Sequence, residues 1–353
     1  MTDTFSRRQI VTLLAGLGLA ASAPAAFAAP KPKPAADPTP EVPVNPGNLR
    51  LAILLPVKDD PFYKACADGA QEAATQIGNV DIVVAAPDKR TARDQILLLN
   101  GLVKQKVDAI AIAPVEAAAL GPVCRRAMAR GIKIVSFDQP LPQATRQVHL
   151  DAISSRGKAT TFMDMLADDV KGGGDIAILA GGRPGPDGQI LVSDTMQQWL
   201  KPAYGKLKLA ETVFGNEDDK AGYAATDKLL ADHPDLKGIL VFNAAALTGA
   251  AQCLSDKGLA GKVFVTGFGR PSQLKAAMAA QVVEYFASVN PVDLGYGAAE
   301  IAVALVKDNM TTSPGSMVTA GRLGQITLGE GNVATLQPFV VDQKNFSKFA
   351  DMY

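Results

Sequence analysis

At 353 residues the chain is too long for one small core and long enough for two lobes of ordinary size. Lysine plus arginine and aspartate plus glutamate both number 35, so the formal net charge is zero and nothing marks a nucleic-acid partner. Three widely spaced cysteines, Cys66, Cys124 and Cys253, form no C-x-x-C pair, which speaks against a zinc site or redox couple and leaves small buried thiols.

The N-terminus has the layout of an export address. Ser6-Arg7-Arg8-Gln9 precedes the apolar stretch Ile10–Ala21, and Ala26-Phe27-Ala28 places small residues at a cleavage position. The paired arginines resemble the twin-arginine signal, although Ile10 stands where that pattern usually has phenylalanine. Residues 1–28 are therefore expected to be a removed signal peptide and the mature protein to be a soluble periplasmic one. No cysteine near the cleavage position supports a lipid anchor, and no later apolar run is long enough to span a bilayer. Residues 29–48 are rich in proline and are expected to form a semi-rigid linker with no core of its own.

From Leu49 onward strand and helix patterns alternate. Leu51–Leu55 is aliphatic without polar alternation, as in a strand covered on both faces. Asp60-Pro61 then carries the chemistry of a helix start, an N-cap acceptor followed by proline at the first helical position. Helical spacing over Phe62–Ile77 ends at Gly78-Asn79. A strand at Val80–Ala86, a helix at Thr91–Lys104, a strand at Ala109–Ala113, a helix at Val115–Arg130 and a strand at Ile132–Phe137 continue the series. Each unit takes about 25–30 residues, the size of a right-handed βαβ crossover.

A second series follows a short crossing strand at Val148–Leu150. It comprises a helix at Ser155–Val170, a strand at Asp175–Ala180, a helix at Ile190–Leu200, a strand at Leu209–Phe214 and a helix at Lys220–Ala231. Next come a strand at Gly238–Phe242, a helix at Leu247–Lys257, strands at Lys262–Gly267 and Val282–Ala287 around a helix at Pro271–Ala280, and a long helix at Pro291–Lys307. Strands at Leu323–Leu328 and Pro338–Val341 close the chain. The expected fold is α/β: two doubly wound parallel-sheet lobes joined by a three-strand hinge. The lobes are assigned as 49–143 plus 290–315 and 144–289 plus 316–353. Crossings are expected near Leu141–Asp151, Ala287–Pro291 and Thr311–Arg322.

Catalytic chemistry is not signalled. The two histidines, His149 and His233, sit in a strand and at a helix end, and no G-x-S-x-G elbow occurs. Gly172–Gly174 and Gly181–Gly185 do not match a phosphate loop, and Asn216-Glu217-Asp218-Asp219 lacks the glycine and distal glutamate of a calcium loop. No metal, cofactor or catalytic residue is assigned.

The polar residues just after strands are more informative, because ligands bind outside the carboxyl ends of strands in open α/β sheets. Lys58 follows the first strand, Asp138 and Gln139 the fourth, Asn243 the strand at Gly238–Phe242, and Asn290 the last core strand. Such groups suit a ligand dense in hydroxyls, each of which both gives and accepts a hydrogen bond. Taken singly, each is also an ordinary cap or turn residue.

The signal, the two α/β lobes, Val135–Pro140 and Gly238–Ala250 resemble the periplasmic binding proteins of the ribose-binding type, over essentially all of Leu49–Tyr353. Within that family Pro56-Val57-Lys58, Asn290-Pro291-Val292-Asp293-Leu294-Gly295, Gly321-Arg322-Leu323-Gly324 and Asn345–Phe349 are similar to receptors for rhamnose and for the furanose-like autoinducer. The resemblance implies that Lys58, Phe62, Asp138, Gln139, Asn243, Ala244 and Asn290 line the cleft, joined from the second lobe by Asp194 and Gln197. It also implies a monomeric receptor that hands a small sugar or polyol to the permease and ATPase of an ABC importer. A receptor feeding a membrane signalling protein is an alternative. A sensor-domain transcriptional regulator would need a DNA-binding helix pair where this chain has its signal and linker. Gln139, Gly269 and Asn243-Ala244-Ala245 depart from the charged set of ribose receptors, so a smaller polyol, a deoxysugar or a less polar ligand is expected in place of ribose.

Overall fold

The computed structural model describes residues 37–180, 192, 194, 195, 198, 201–214 and 218–351. The leader expected at 1–28, the loop at 181–189 and most of the helix expected at 190–200 lie outside the described residues. The first series runs β1 (Leu49–Leu54), α1 (Pro61–Ile77), β2 (Val80–Ala85), α2 (Ala92–Lys104), β3 (Ala109–Ile112), α3 (Ala117–Met128), β4 (Lys133–Phe137) and β5 (Val148–Asp151). The second runs α4 (Ser155–Asp169), β6 (Gly174–Leu179), β7 (Leu207–Val213), α5 (Asp219–Asp232), β8 (Gly238–Val241), α6 (Ala244–Asp256), β9 (Phe264–Gly267), α7 (Lys275–Ala279) and β10 (Tyr285–Ser288). The chain then returns as α8 (Pro291–Val306), β11 (Met317–Thr319), β12 (Gln325–Thr327) and β13 (Val333–Thr335), and ends with β14 (Phe339–Asp342) and α9 (Phe346–Phe349).

The first sheet is wholly parallel, in the order β13-β5-β4-β3-β1-β2. Alternate residues of β1 point to opposite faces, and both faces are covered. Leu51 and Ile53 join the core under α1 and α8, while Ala52 and Leu54 join the core under α2 and α3. That is why the strand reads as an unbroken aliphatic run. The second sheet repeats the arrangement with β7-β6-β8-β9, all parallel, extended through the Phe268–Ala287 bridge to β10 and its antiparallel partner β14.

Small residues let the helices over the first sheet approach closely. A Cβ added to Gly69 of α1 would lie 1.9 Å from the Val292 carbonyl oxygen, and one added to Gly295 of α8 would lie 1.8 Å from that of Cys66. Any side chain at either position would separate the two helices. The carboxyl ends of the strands are fixed from the other face. The buried Gln95 of α2 donates to the carbonyls of Leu55 (3.1 Å) and Ala113 (2.8 Å) and accepts from the Val115 amide (2.8 Å).

Three sequence expectations are corrected here. Val148–Asp151 is not a crossing segment but the fifth strand of the first sheet, paired with both β4 and β13. Residues 316–335 also belong with the first lobe, because Val318, Ile326 and Ala334 pack into the core under α8. The chain therefore crosses at 152–154, 289–290 and 336–338, with the Leu336 amide bonded to the Asp151 carbonyl at 3.0 Å. A three-residue strand carries no pattern that says which sheet it will join. Finally, residues 37–48 are docked rather than free. The Val42 amide donates to Gln105 Oε1 (2.8 Å), Gln105 Nε2 donates to the Pro40 carbonyl (2.9 Å), and Asp81 accepts from Asn45 N (2.8 Å), Asn45 Nδ2 (2.7 Å) and Asn48 Nδ2 (2.8 Å).

Candidate ligand-binding cleft

A cavity of about 490 Å³ opens at the carboxyl ends of the strands of both sheets. From the first lobe it is lined by Asp60, Pro61, Phe62 and Tyr63 at the start of α1, by Arg90 in the loop after β2, and by Asp138 and Gln139 after β4. From the second lobe come Phe268 and Arg270 after β9, with Val289 after β10.

Local chemistry places each of these groups. Asp60 is the N-cap of α1, its Oδ1 accepting from the amides of Phe62 (2.9 Å) and Tyr63 (3.4 Å). With Pro61 at the first helical position, the helix starts on the cavity rim and sets two aromatic rings there. These rings meet edge to face at 5.2 Å. Asp138 leaves β4 with a φ of 63°, a left-handed conformation that aspartate tolerates better than most residues. The Gln139 amide closes back on the Phe137 carbonyl at 2.8 Å. This tight turn brings the half-buried Asp138 carboxylate to Tyr63, whose hydroxyl donates to Oδ2 at 2.9 Å. Arg90 Nη2 in turn donates to the Tyr63 oxygen at 3.3 Å, and its guanidinium lies 5.4 Å from the centre of the Tyr63 ring.

Burial is the main cause that lifts the Asp138 carboxyl above its ordinary range, opposed by the Tyr63 hydrogen bond and by Arg90 and reinforced by the nearby charges of Asp151 and Asp60. Asp151, the last residue of β5, is lifted mainly by burial too, against the pull of Lys158. Burial and the neighbouring Asp138 push the Tyr63 phenol up, so it remains a hydrogen-bond donor at any physiological pH. On the second lobe Lys158 Nζ lies 5.5 Å from the centre of the Phe268 ring.

Of the residues expected to line the cleft, the structure brings together Phe62, Asp138 and Gln139. Lys58 points elsewhere: its Nζ is 3.9 Å from Asp88 and it lines a separate groove of about 710 Å³ that also includes Pro38, Lys64 and Lys89. Asn243 is the N-cap of α6, with Oδ1 accepting from Ala245 (2.9 Å) and Ala246 (3.1 Å), and Ala244 is buried as the first residue of that helix. Asn290 caps α8 through the Val292 amide (3.1 Å) and donates to Asp293 Oδ2 (2.9 Å), leaving the cavity wall to its neighbour Val289. For Asn243 and Asn290 a helix-start amide claims the side chain that would otherwise face a ligand. Asp194 is half-buried and helical and does not line this cavity, and Gln197 lies outside the described residues.

The sequence reading missed Asp60, Tyr63, Arg90, Phe268, Arg270 and Val289. The rule that found Asp138, a polar residue after a strand, extends to Arg90 in the loop after β2, whereas Phe268 is apolar and falls outside it. Tyr63 was hidden because its position in α1 reads as core, and the ring is indeed only 5% exposed. Among the described residues no cluster of His, Cys, Asp or Glu could hold a metal ion, and no helix is long and apolar enough to cross a membrane.

Comparison with known proteins agrees with this fold. A D-ribose/D-allose-binding protein of Pseudomonas aeruginosa is 26% identical, the match covering 67% of this chain and 74% of that protein. A sugar ABC transporter from Actinomyces odontolyticus superposes with a TM-score of 0.77 at 26% identity, over 85% of this chain and 96% of that one. A solute-binding protein from Clostridium phytofermentas, solved with bound L-rhamnose, gives 0.61 at 27% identity, over 86% of this chain and 98% of that one. The curated relatives are named as substrate-binding proteins, and this chain is likewise a binding protein and not an enzyme. The model of the periplasmic binding protein domain matches residues 51–310, and the chain belongs to that family, in its ribose-binding, type I branch of ABC-transporter solute-binding proteins.

Proposed function

We propose that this chain is an exported, monomeric receptor that traps a small sugar or sugar-like polyol in the cavity between its lobes and presents it to the permease and ATPase of an ABC importer. The observation that carries the reading is the meeting of Asp138, Phe62 and Arg90 from one lobe with Phe268 and Arg270 from the other around one cavity. Carboxylate and guanidinium groups serve the hydroxyls of such a ligand as acceptor and donor, and the aromatic faces cover its C–H surfaces. Arg7-Arg8 and Ala26-Phe27-Ala28 support export with cleavage after Ala28.

A thermal-shift screen of pentoses, hexoses, deoxyhexoses, polyols and furanose-like signals tests the reading. A compound that binds only the native state raises the melting temperature by an amount that grows with the logarithm of its excess over Kd. At least one neutral sugar or polyol is expected to do so. If none shifts the protein at millimolar concentration, the substrate class is wrong.

A further inference from the structure

We infer that Tyr63, steadied by Arg90, competes with the ligand for one oxygen of Asp138, so that the cleft reads a single hydroxyl best at this point and gains less from a second one beside it. This rests on the cavity being the ligand site. A free carboxylate at a strand end can accept from two adjacent hydroxyls, one on each oxygen. Here Oδ2 is taken by the Tyr63 hydroxyl at 2.9 Å. The phenol is not free to turn away, because its ring is buried in the core under α1, meets Phe62 edge to face and lies beneath the Arg90 guanidinium. Arg90 also donates to the phenol oxygen at 3.3 Å, which polarises the O–H toward Asp138. Asp60 is held on the cavity rim by its Oδ1, which caps α1, so only its Oδ2 can turn to a ligand. A ligand offering two adjacent hydroxyls must therefore crowd both onto Oδ1, share Oδ2 with the phenol, or displace a buried ring, and each of these weakens the second bond. Tyr63 thus determines specificity, and Arg90 is a positioning residue acting through it.

The test compares calorimetric affinities of wild type, Tyr63→Phe, Arg90→Gln and Arg90→Lys for D-ribose, D-allose, D-arabinose and L-rhamnose and for the monodeoxy derivatives of whichever parent binds best. In wild type, removing one hydroxyl should cost more than tenfold and removing its neighbour less than threefold. In Tyr63→Phe the neighbouring hydroxyl should become worth more than fivefold. Arg90→Gln should move the pattern in the same direction, and Arg90→Lys should largely keep the wild-type pattern by retaining a cation over the ring. An unchanged pattern in Tyr63→Phe, or a uniform loss for every sugar, overturns the inference while leaving the cleft reading intact. Binding of none of these sugars, nor of any compound in the thermal-shift screen, overturns the cleft reading, and the inference falls with it. A second measurement needs no ligand: carbon NMR titration of Asp138 should give a higher pKa in Tyr63→Phe than in wild type. An unchanged value would show that the phenol does not hold that oxygen.

Discussion

Asp138 combines an exposed chemical task with a backbone few residues accept. Its φ of 63° makes alanine a poor probe there, because a β-carbon without a polar group is strained in the left-handed region. Asp138→Asn is the cleaner change, keeping the local turn and removing the charge. Loss of a charge-assisted bond to a ligand hydroxyl should weaken binding by about 2 kcal/mol, roughly 30-fold, in isothermal titration. The melting temperature of the ligand-free protein should stay within a few degrees of wild type. His149 gives a pH prediction. It is buried between β4 and β5, with Nδ1 3.0 Å from Ser136 Oγ, and burial, helped by Arg146, lowers its pKa to about 4 against the Ser136 carbonyl. The unfolded chain therefore takes up a proton at this residue that the native state refuses between pH 6.5 and about 4. His149 contributes a loss of stability as pH falls through that window, and urea unfolding of His149→Gln should show a flatter slope there than wild type. At this scale the sequence was readable only in part. Asp138 stood out as a carboxylate ending a buried strand, whereas Asn243 and Asn290 carry the same signal and are spent on helix caps.

Secondary elements were more legible than single residues, because covered strands and amphipathic helices repeat their pattern over many positions. The helix expected at Thr91–Lys104 is found at Ala92–Lys104 with Thr91 as its cap, and the long helix after Asn290 starts at Pro291 as expected. The docked segment 37–48 was not legible, since proline-rich sequence carries no periodicity and its partners, Asp81 and Gln105, lie far along the chain. Removing residues 29–47 strips Gln105 of its bonds to Pro40 and Val42, takes the Asn45 bonds from Asp81 and uncovers the core around Val42, so stability in denaturant should fall by about 2–4 kcal/mol. If truncation leaves the unfolding midpoint unchanged, the segment is a tether after all. Gln95→Leu makes a second test within α2. Two carbonyls and one amide at the strand ends beside the cleft lose their partner, which should cost about 2–4 kcal/mol in the same assay.

Among the described residues two doubly wound sheets are joined by three short crossings, and the groups that line the cavity sit where those sheets face each other. Rigid lobes on a few flexible dihedrals close by hinge motion, as in other clefts that trap small ligands. The architecture was visible in the strand–helix order, but the placement of β5 and β13 was not, because strands this short take their sheet from tertiary contacts alone. Trapping of a sugar or polyol between the lobes is tested most directly by small-angle scattering with a ligand found in the thermal-shift screen. Saturating ligand should lower the radius of gyration of the wild type, and Asp138→Asn should need a far higher concentration to reach the same compaction. A ligand that binds tightly and leaves the scattering curve unchanged would contradict closure around the cleft.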